Sequence, residues 1–269
     1  MSEQTSKRGI GCGVVVILAA IVLAVPVFRV GNAIWKVKRV EQTLNNTLGE
    51  ARTYAPPLTG EVAPERMETF LRVRTRVFAN CPEFQGYLDE VIRLEGLEEN
   101  PDVSKSESMK EGFGGLKRLL QAGPGFLRFM GVRNQALLDE SMGLGEYMYI
   151  YVLAYRGQLR LETDSRFANF EDAFVGSRAR RDLASMIRNQ LEAVEAARGA
   201  STDDAWVTML REQVVLLETE AKPLPWETGL PPEIAASIDP YAATLDAVYC
   251  SGLAKMELSQ KNKGFEIKN

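Results

Sequence analysis

The chain has 269 residues, of which 45% are apolar and 25% are charged, and its formal net charge at pH 7 is −4. Such a composition is that of an ordinary globular protein, so most of the chain can bury a core. Because the sequence contains no histidine and only three cysteines, it excludes Ser-His-Asp and Cys-His catalysis, imidazole metal sites and a zinc site built from cysteine alone. We predict no cofactor.

The chain begins with a short tail, residues 1–9, followed by an apolar stretch without a charged residue, residues 10–28. As a helix, this stretch would be about 28 Å long, just enough to cross the hydrocarbon core of a bilayer. We expect an uncleaved membrane anchor, because the apolar region of a cleaved signal peptide is shorter and ends in a small-x-small site. Four small residues in this region have the spacing that allows another helix to approach closely in the membrane: Gly9, Gly13, Ala20 and Ala24. The alternative is that they have no packing role, because small residues are common in transmembrane helices.

The charges that flank the anchor leave its orientation open. Lys7 and Arg8 in the short tail favour an N-terminus inside the cell, whereas the basic residues from Arg29 to Arg39 favour the opposite orientation. We expect a bacterial inner-membrane protein with its body in the periplasm, and a cytoplasmic body is the alternative. After Arg39 the chain carries 26 basic and 35 acidic residues, a net charge of −9. This acidic body argues against nucleic acid as a partner, while the basic flank suits the anionic headgroups of a lipid bilayer.

The predicted elements after the anchor begin with a helical juxtamembrane stalk, residues 29–55. Val30, Val37 and Leu44 repeat every seven residues, which predicts an apolar stripe that packs on the body or on a partner. The helix is expected to reach about Glu50, and the prolines after Tyr54 end the stalk. An all-α soluble domain, residues 59–258, follows. Its clearest helix starts at Pro64, and Pro82 should kink or break it.

The rest of the soluble domain also shows helical periodicity. Loops are expected at residues 98–110 and 160–176, and a frayed tail at 259–269. Further helices are predicted at about 126–141, 144–158, 178–198, 203–221, 232–237 and 240–258. No segment alternates convincingly like a strand. The predicted fold is therefore all-α: a single transmembrane helix that continues into a stalk, followed by a bundle of about six to eight helices.

Residues 113–133 combine apolar and basic side chains without an acidic one. This segment is either a basic amphipathic surface that docks on a membrane or partner, or a core hairpin whose cations form its solvated side. The candidate docking residues are Phe113, Leu116, Lys117, Arg118, Leu120, Phe126, Arg128 and Phe129.

Three tyrosines, Tyr147, Tyr151 and Tyr155, are spaced four residues apart and form one stripe on a helix, with Glu146 beside them. A buried carboxylate needs a cation or hydrogen-bond donors. The candidate cations are arginines of the Pro64 helix, of which Arg72 and Arg76 share a face and Arg74 lies between them. We interpret this cluster as a core ion pair capped by tyrosines, and a polar ligand cleft is the alternative.

Three smaller features complete the set of candidate sites. Three arginines, Arg178, Arg180 and Arg181, lie at the start of a predicted helix. They are either a solvated face or an anion-binding site, since cations at a helix N-terminus oppose the helix dipole and would be stabilised by an anion. Residues 222–232 place four prolines around Trp226, either as a rigid connector with the tryptophan buried or as an extended recognition segment. Cys81 and Cys250 would pair in an oxidising compartment and would otherwise be two small buried side chains.

These features favour a non-catalytic, membrane-anchored interaction or scaffold protein, an accessory subunit of a bacterial envelope complex. Its partner would be another membrane or envelope protein, or a second copy of the chain. The alternative is a helical binding module for a small or lipidic ligand that uses Glu146, the tyrosine stripe and an arginine. A carboxylate-based hydrolase is the least supported, because no paired acidic motif is present and di-iron bundles normally need Glu-x-x-His.

Overall fold

The structure is a computed structural model that describes residues 35–86, 89, 125, 127–161, 177–198, 205–219, 224–254 and 257–258. All regular elements in these ranges are helical, which confirms the predicted all-α bundle. None of the helices described there is long and apolar enough to cross a membrane. Several predictions concern residues outside these ranges: the anchor with Gly9, Gly13, Ala20 and Ala24, the loop at 98–110, the tails, and the candidate docking residues Phe113, Leu116, Lys117, Arg118, Leu120 and Phe126.

The described part of the stalk is a helix, α1, over residues 35–48. Its apolar stripe packs on the body, since Leu44 is fully buried and Val37 is only 6% exposed. The helix ends before its predicted limit because Gly49 adopts a left-handed conformation with φ +85°. The amide of Gly49 donates a hydrogen bond to the carbonyl of Asn45 at 3.0 Å, the usual termination of a helix by glycine.

The second helix, α2, covers Pro64–Phe78, and proline occupies its first turn as predicted. Met67, Phe70, Val73 and Val77 are fully buried on one side of α2. Residues 79–80 form a turn and the chain is helical again over residues 81–86, here called α3, so the helix breaks near Pro82 as the sequence indicated.

The middle of the chain forms two further helices of the bundle. Helix α4 covers residues 127–139. Helix α5, Leu144–Tyr151, continues into a wider π-helical stretch, Val152–Gln158. Almost every side chain of α5 is buried, because this helix runs through the centre of the bundle. Gly145 permits its close approach to a 3₁₀ turn, Ala51–Thr53, since a Cβ there would lie 2.5 Å from the carbonyl oxygen of Ala51.

The next two helices, α6 (Ser177–Arg198) and α7 (Ala205–Thr219), pack side by side. They run antiparallel, because Arg188 pairs with Glu218 while Glu195 pairs with Arg211. Helix α8, Pro232–Ile238, is followed by a 3₁₀ turn, Asp239–Tyr241, and by α9, Ala242–Ala247. The predicted bounds of α4 to α8 are confirmed within a few residues.

The prediction of one long last helix, residues 240–258, is wrong. Helix α9 ends at Ala247, and the chain then leaves the helical path to place two groups in the core. The carbonyl of Val248 accepts a hydrogen bond from Arg74, and Cys250 forms a disulfide with Cys81. These tertiary contacts outweigh the local helical tendency of the sequence.

Candidate functional site: a buried polar core

A buried ion pair lies in the centre of the helical body. Arg74 is on the same side of α2 as Met67, Phe70 and Val77, and its side chain is fully buried. Its Nη1 atom donates to the carboxylate of Glu257, which is also fully buried. Because an isolated charge in a protein interior is very costly, each of these two groups requires the other and further hydrogen bonds.

The remaining donors of Arg74 are occupied as well. Nη1 also donates to the hydroxyl of Tyr147 at 3.0 Å, and Nε donates to that of Tyr155 at 3.2 Å. Nη2 donates to the carbonyl of Val248 at 2.9 Å. The guanidinium carbon lies 5.4 Å from the ring centre of Tyr151 and 5.3 Å from that of Tyr155, within cation–π distance. The guanidinium is thus surrounded by acceptors and aromatic faces.

Glu257 is held from two directions. The hydroxyl of Tyr147 donates to its Oε2 at 2.6 Å, while its backbone carbonyl accepts from Nη1 of Arg133 at 2.6 Å. Arg133 comes from α4, is fully buried and also donates to Oδ1 of Asn134. The set Arg74, Arg133, Tyr147, Tyr155 and Glu257, here called the polar core, therefore joins α2, α4 and α5 to the chain after α9.

Burial and neighbouring charges shift the pKa values of the hydrogen-bond donors in the polar core. Burial raises the pKa of Tyr147 well above its ordinary value, so its hydroxyl keeps the proton that it donates to Glu257. Burial alone would lower the pKa of Arg74, but Glu257 and the tyrosines outweigh it and raise that pKa. Burial lowers the pKa of Arg133, although Tyr147 and Glu257 oppose this shift.

The structure brings only part of the predicted tyrosine cluster together. Tyr147 and Tyr155 belong to the polar core, and Tyr151 packs beside Arg74 with a buried hydroxyl for which the described residues provide no hydrogen-bond partner. Glu146 lies elsewhere on α5, where it forms a bidentate pair with Arg66 at 2.6 and 2.5 Å. The space beside the tyrosine stripe, predicted as a core ion pair or a ligand cleft, is occupied by Arg74 and Glu257.

The predicted pairing of Glu146 with Arg72, Arg74 or Arg76 is wrong, because Glu146 pairs with Arg66. Arg72 binds Glu140 at 2.7 Å, and Arg76 binds both Asp139 and Glu140 on the surface. Residues 72 and 76 are each about 200° around the helix from residue 74, so the partner that points into the core is Arg74. Helix geometry also separates Glu146 from Tyr147 by about 100°.

Two candidate residues of the docking segment lie in the described part of the chain, and they differ in environment. Arg128 is exposed and pairs with Glu83. Phe129 is not available for docking, because it is 2% exposed and its ring centre lies 5.9 Å from that of Phe84. Arg133, which both interpretations of the segment expected at a surface, is buried in the polar core. At its C-terminal end this segment is therefore core rather than docking surface.

The smaller candidate sites have structural roles. Arg180 donates to the carbonyls of Leu216 and Leu217 at 3.3 and 3.2 Å, at the C-terminal end of α7 where a cation is favourable. Trp226 is buried and stacks on Trp206 with 5.6 Å between ring centres, as the connector interpretation predicted. Arg178 lies 4.0 Å from Asp182 on the same helix.

Of the two alternatives for the cysteines, the structure contains the disulfide. The Cα atoms of Cys81 and Cys250 lie 6.1 Å apart, and the bond ties α3 to the chain after α9. Cys250 lies seven residues before Glu257, and its bond to Cys81 spans a sequence separation of 169 residues. The C-terminal part of the domain is thus held both by the disulfide and by the polar core.

Sequence reasoning missed Glu257 and Arg66, and it did not single out Arg74. One signal was present, since Arg74 continues the apolar spacing of Met67, Phe70 and Val77. Nothing local marks Glu257 as its partner, because the two residues are 183 positions apart. Among the described residues, no three side chains of the metal-binding types come together. Comparison of the chain with protein-family models, curated proteins and solved structures finds no match.

Proposed function

We propose that this chain is a single-pass membrane protein whose helical body is a non-catalytic interaction domain of a bacterial envelope complex. In this proposal residues 10–28 form the anchor and the body lies in the periplasm. The apolar sequence of residues 10–28 supports the anchor. The packing of Val37 and Leu44 supports a body that begins within ten residues of the anchor.

The observation that carries the proposal is the state of the polar core. Arg74 and Glu257 are both fully buried, and their polar atoms bond to each other, to tyrosines and to backbone carbonyls. A ligand that used these groups would have to displace bonds that hold helices and the C-terminal part of the domain together. The arrangement of these charged and phenolic side chains therefore favours a role in stability. We accordingly expect the surface of the body to carry the function.

The Cys81–Cys250 disulfide supports the choice of compartment. Structural disulfides persist in the bacterial periplasm and are rare in the cytosol, where thiols are kept reduced. Both sulfur atoms belong to buried residues, so a structural bond rather than an exchanging one is the natural interpretation.

Topology is the first test. Protease is added to cells whose outer membrane has been opened while the inner membrane stays sealed, with a cytoplasmic protein as the control. We expect the body to be digested and the control to survive. Protection of both proteins would contradict a periplasmic body.

A second test addresses interaction in the native membrane. A photo-reactive amino acid is placed at Val215, which is 57% exposed, and as a matched control at Leu210, which is fully buried on the same helix. A discrete cross-linked species is expected from exposed positions such as Val215 and Leu58 but not from Leu210. If exposed positions around the whole body give only the monomer, the interaction role is refuted.

A further inference from the structure

Helix α1 carries a cluster of exposed cations that are not paired in the way most arginines of the described residues are. Nine arginines of the described residues pair with a carboxylate: Arg52, Arg66, Arg72, Arg74, Arg76, Arg128, Arg178, Arg188 and Arg211. By contrast, Lys36, Lys38 and Arg39 are exposed, and no described carboxylate forms an ion pair with them. Their charge is available to a partner outside the body.

A large aromatic residue lies within this cluster. Trp35 is 58% exposed, and the guanidinium carbon of Arg39 lies 5.4 Å from the centre of its ring. Tryptophan is enriched at membrane–water interfaces, where an amphipathic ring contacts both headgroups and chains. We call Trp35, Lys36, Lys38 and Arg39 the basic collar.

Helix geometry separates the basic collar from the core. Taking Trp35 as the origin, Arg39 lies about 40° around α1, Lys36 lies about 100° to the same side and Lys38 about 60° to the other side. Val37 and Leu44 lie on the opposite side, at about 180–200°, and both are buried in the body. One side of α1 thus packs on the body while its other side presents three cations and an indole.

The position of the basic collar in the chain identifies its partner. This step rests on the proposed function, namely that residues 10–28 cross the membrane. Trp35 lies seven positions after Phe28, a span of about 10 Å in a helix and about 25 Å at full extension. The remainder of the chain after Arg39 has a net charge of −9, so an anionic membrane surface attracts the basic collar and repels the rest of the body.

We infer that Trp35, Lys36, Lys38 and Arg39 bind the headgroups of anionic phospholipids and thereby orient the body on the membrane. The two ammonium groups and the guanidinium donate to lipid phosphates, and the indole of Trp35 lies at the interface. Each cation near an anionic bilayer surface changes the ratio of docked to undocked body by about fivefold, so three cations change it by about a hundredfold.

The test uses the full chain reconstituted into vesicles of phosphatidylcholine, alone or mixed with phosphatidylglycerol. The readout is the quenching of Trp35 emission by lipids with a spin-labelled headgroup, taken as the difference between the wild type and Trp35→Phe. We expect stronger quenching when phosphatidylglycerol is present, and a loss of that increase near 1 M salt, where the Debye length falls to about 3 Å. The triple variant Lys36→Gln/Lys38→Gln/Arg39→Gln should lose the increase as well.

A charge-matched control removes three exposed cations elsewhere, in the variant Arg52→Gln/Arg181→Gln/Arg188→Gln. This variant should keep the phosphatidylglycerol-dependent quenching. Equal losses in the two triple variants would mean that net charge alone acts, and would overturn the inference.

Failure of the anchor and failure of the inference are distinguishable. Release of the chain from vesicles by alkaline extraction would refute the proposed anchor. Resistance to extraction with the same quenching in both lipid mixtures would refute the basic collar and leave the anchor intact. If Trp35 is shielded only in native membranes and not in these vesicles, the partner is a protein and the lipid assignment is wrong.

Discussion

Replacement of Glu257 by Gln tests whether the polar core stabilises the body. The substitution keeps the shape of the side chain but removes its charge, so Arg74 remains buried without a carboxylate. Two charge-assisted hydrogen bonds are affected, those from Arg74 and Tyr147. Such bonds contribute about 1.5–3 kcal/mol each, and the glutamine carbonyl can retain one neutral bond of about 1 kcal/mol. The expected loss is about 2–5 kcal/mol, which overlaps the range of about 3–5 kcal/mol typical of breaking a buried ion pair.

The assay is urea unfolding of the full chain in detergent, followed by far-ultraviolet circular dichroism. The midpoint should fall while the slope with denaturant is unchanged, which indicates a change in stability alone. Glu140→Gln is the matched control, because Glu140 also binds two arginines, Arg72 and Arg76. Both arginines are about half exposed, so this control should lose no more than about 1 kcal/mol.

The double variant Arg74→Met/Glu257→Gln completes the test. Because it removes the buried cation together with the carboxylate, it should be more stable than the Glu257→Gln single variant. The reasoning is refuted if Glu257→Gln lowers stability no more than Glu140→Gln does. It is also refuted if Arg74→Met destabilises the Glu257→Gln variant as much as it destabilises the wild type.

Three further predictions concern pH, the disulfide and one glycine. Burial raises the pKa of Tyr147 and Tyr151 in the folded body, so above pH ~10 the unfolded chain binds fewer protons and stability should fall by up to about 1.4 kcal/mol per pH unit for each tyrosine. Tyrosinate absorbance should therefore rise together with loss of the helical signal, and a rise in the intact fold would contradict this. Replacing both cysteines of the Cys81–Cys250 bond by serine should cost about 5 kcal/mol for a loop of 169 residues, and a reducing agent should destabilise only the wild type. Gly145→Ala should lower the melting temperature because its Cβ meets the backbone of Ala51, whereas the control Gly86→Ala, whose Cβ would meet none of the described residues, should not.

The sequence contained the information for most helices of the body but not for the contacts between distant ones. Helix α6 was predicted at residues 178–198 and is found at Ser177–Arg198, because a long amphipathic pattern determines it locally. The last helix was predicted too long, since Val248 and Cys250 leave the helix to satisfy Arg74 and Cys81. Periodicity carries no information about such long-range partners.

The candidate site was predictable in its aromatic half only. The spacing of Tyr147, Tyr151 and Tyr155 placed them on one helical stripe, and all three are buried. Arg74 was recognisable as a cation on an apolar stripe, but its exposed neighbours Arg72 and Arg76 offered an equally regular spacing. Glu257 was not recognisable, because a single glutamate near the end of the domain has no local feature that distinguishes it from a surface acid.

The place of Glu257 in the chain also sets the order in which the body can be completed during synthesis. A ribosome that adds about 5–20 residues per second needs about 10–40 s to progress from Arg74 to Glu257, 183 residues later. During that interval the nascent chain gains Arg133 and Tyr147 after Arg74, but it still lacks Glu257, whose carboxylate pairs with Arg74 and accepts from Tyr147 and whose backbone carbonyl accepts from Arg133. Native closure of α2, α4 and α5 therefore has to wait for the last part of the domain, and under the proposed periplasmic location this delay would suit passage through a translocation channel, which requires a chain that has not yet closed.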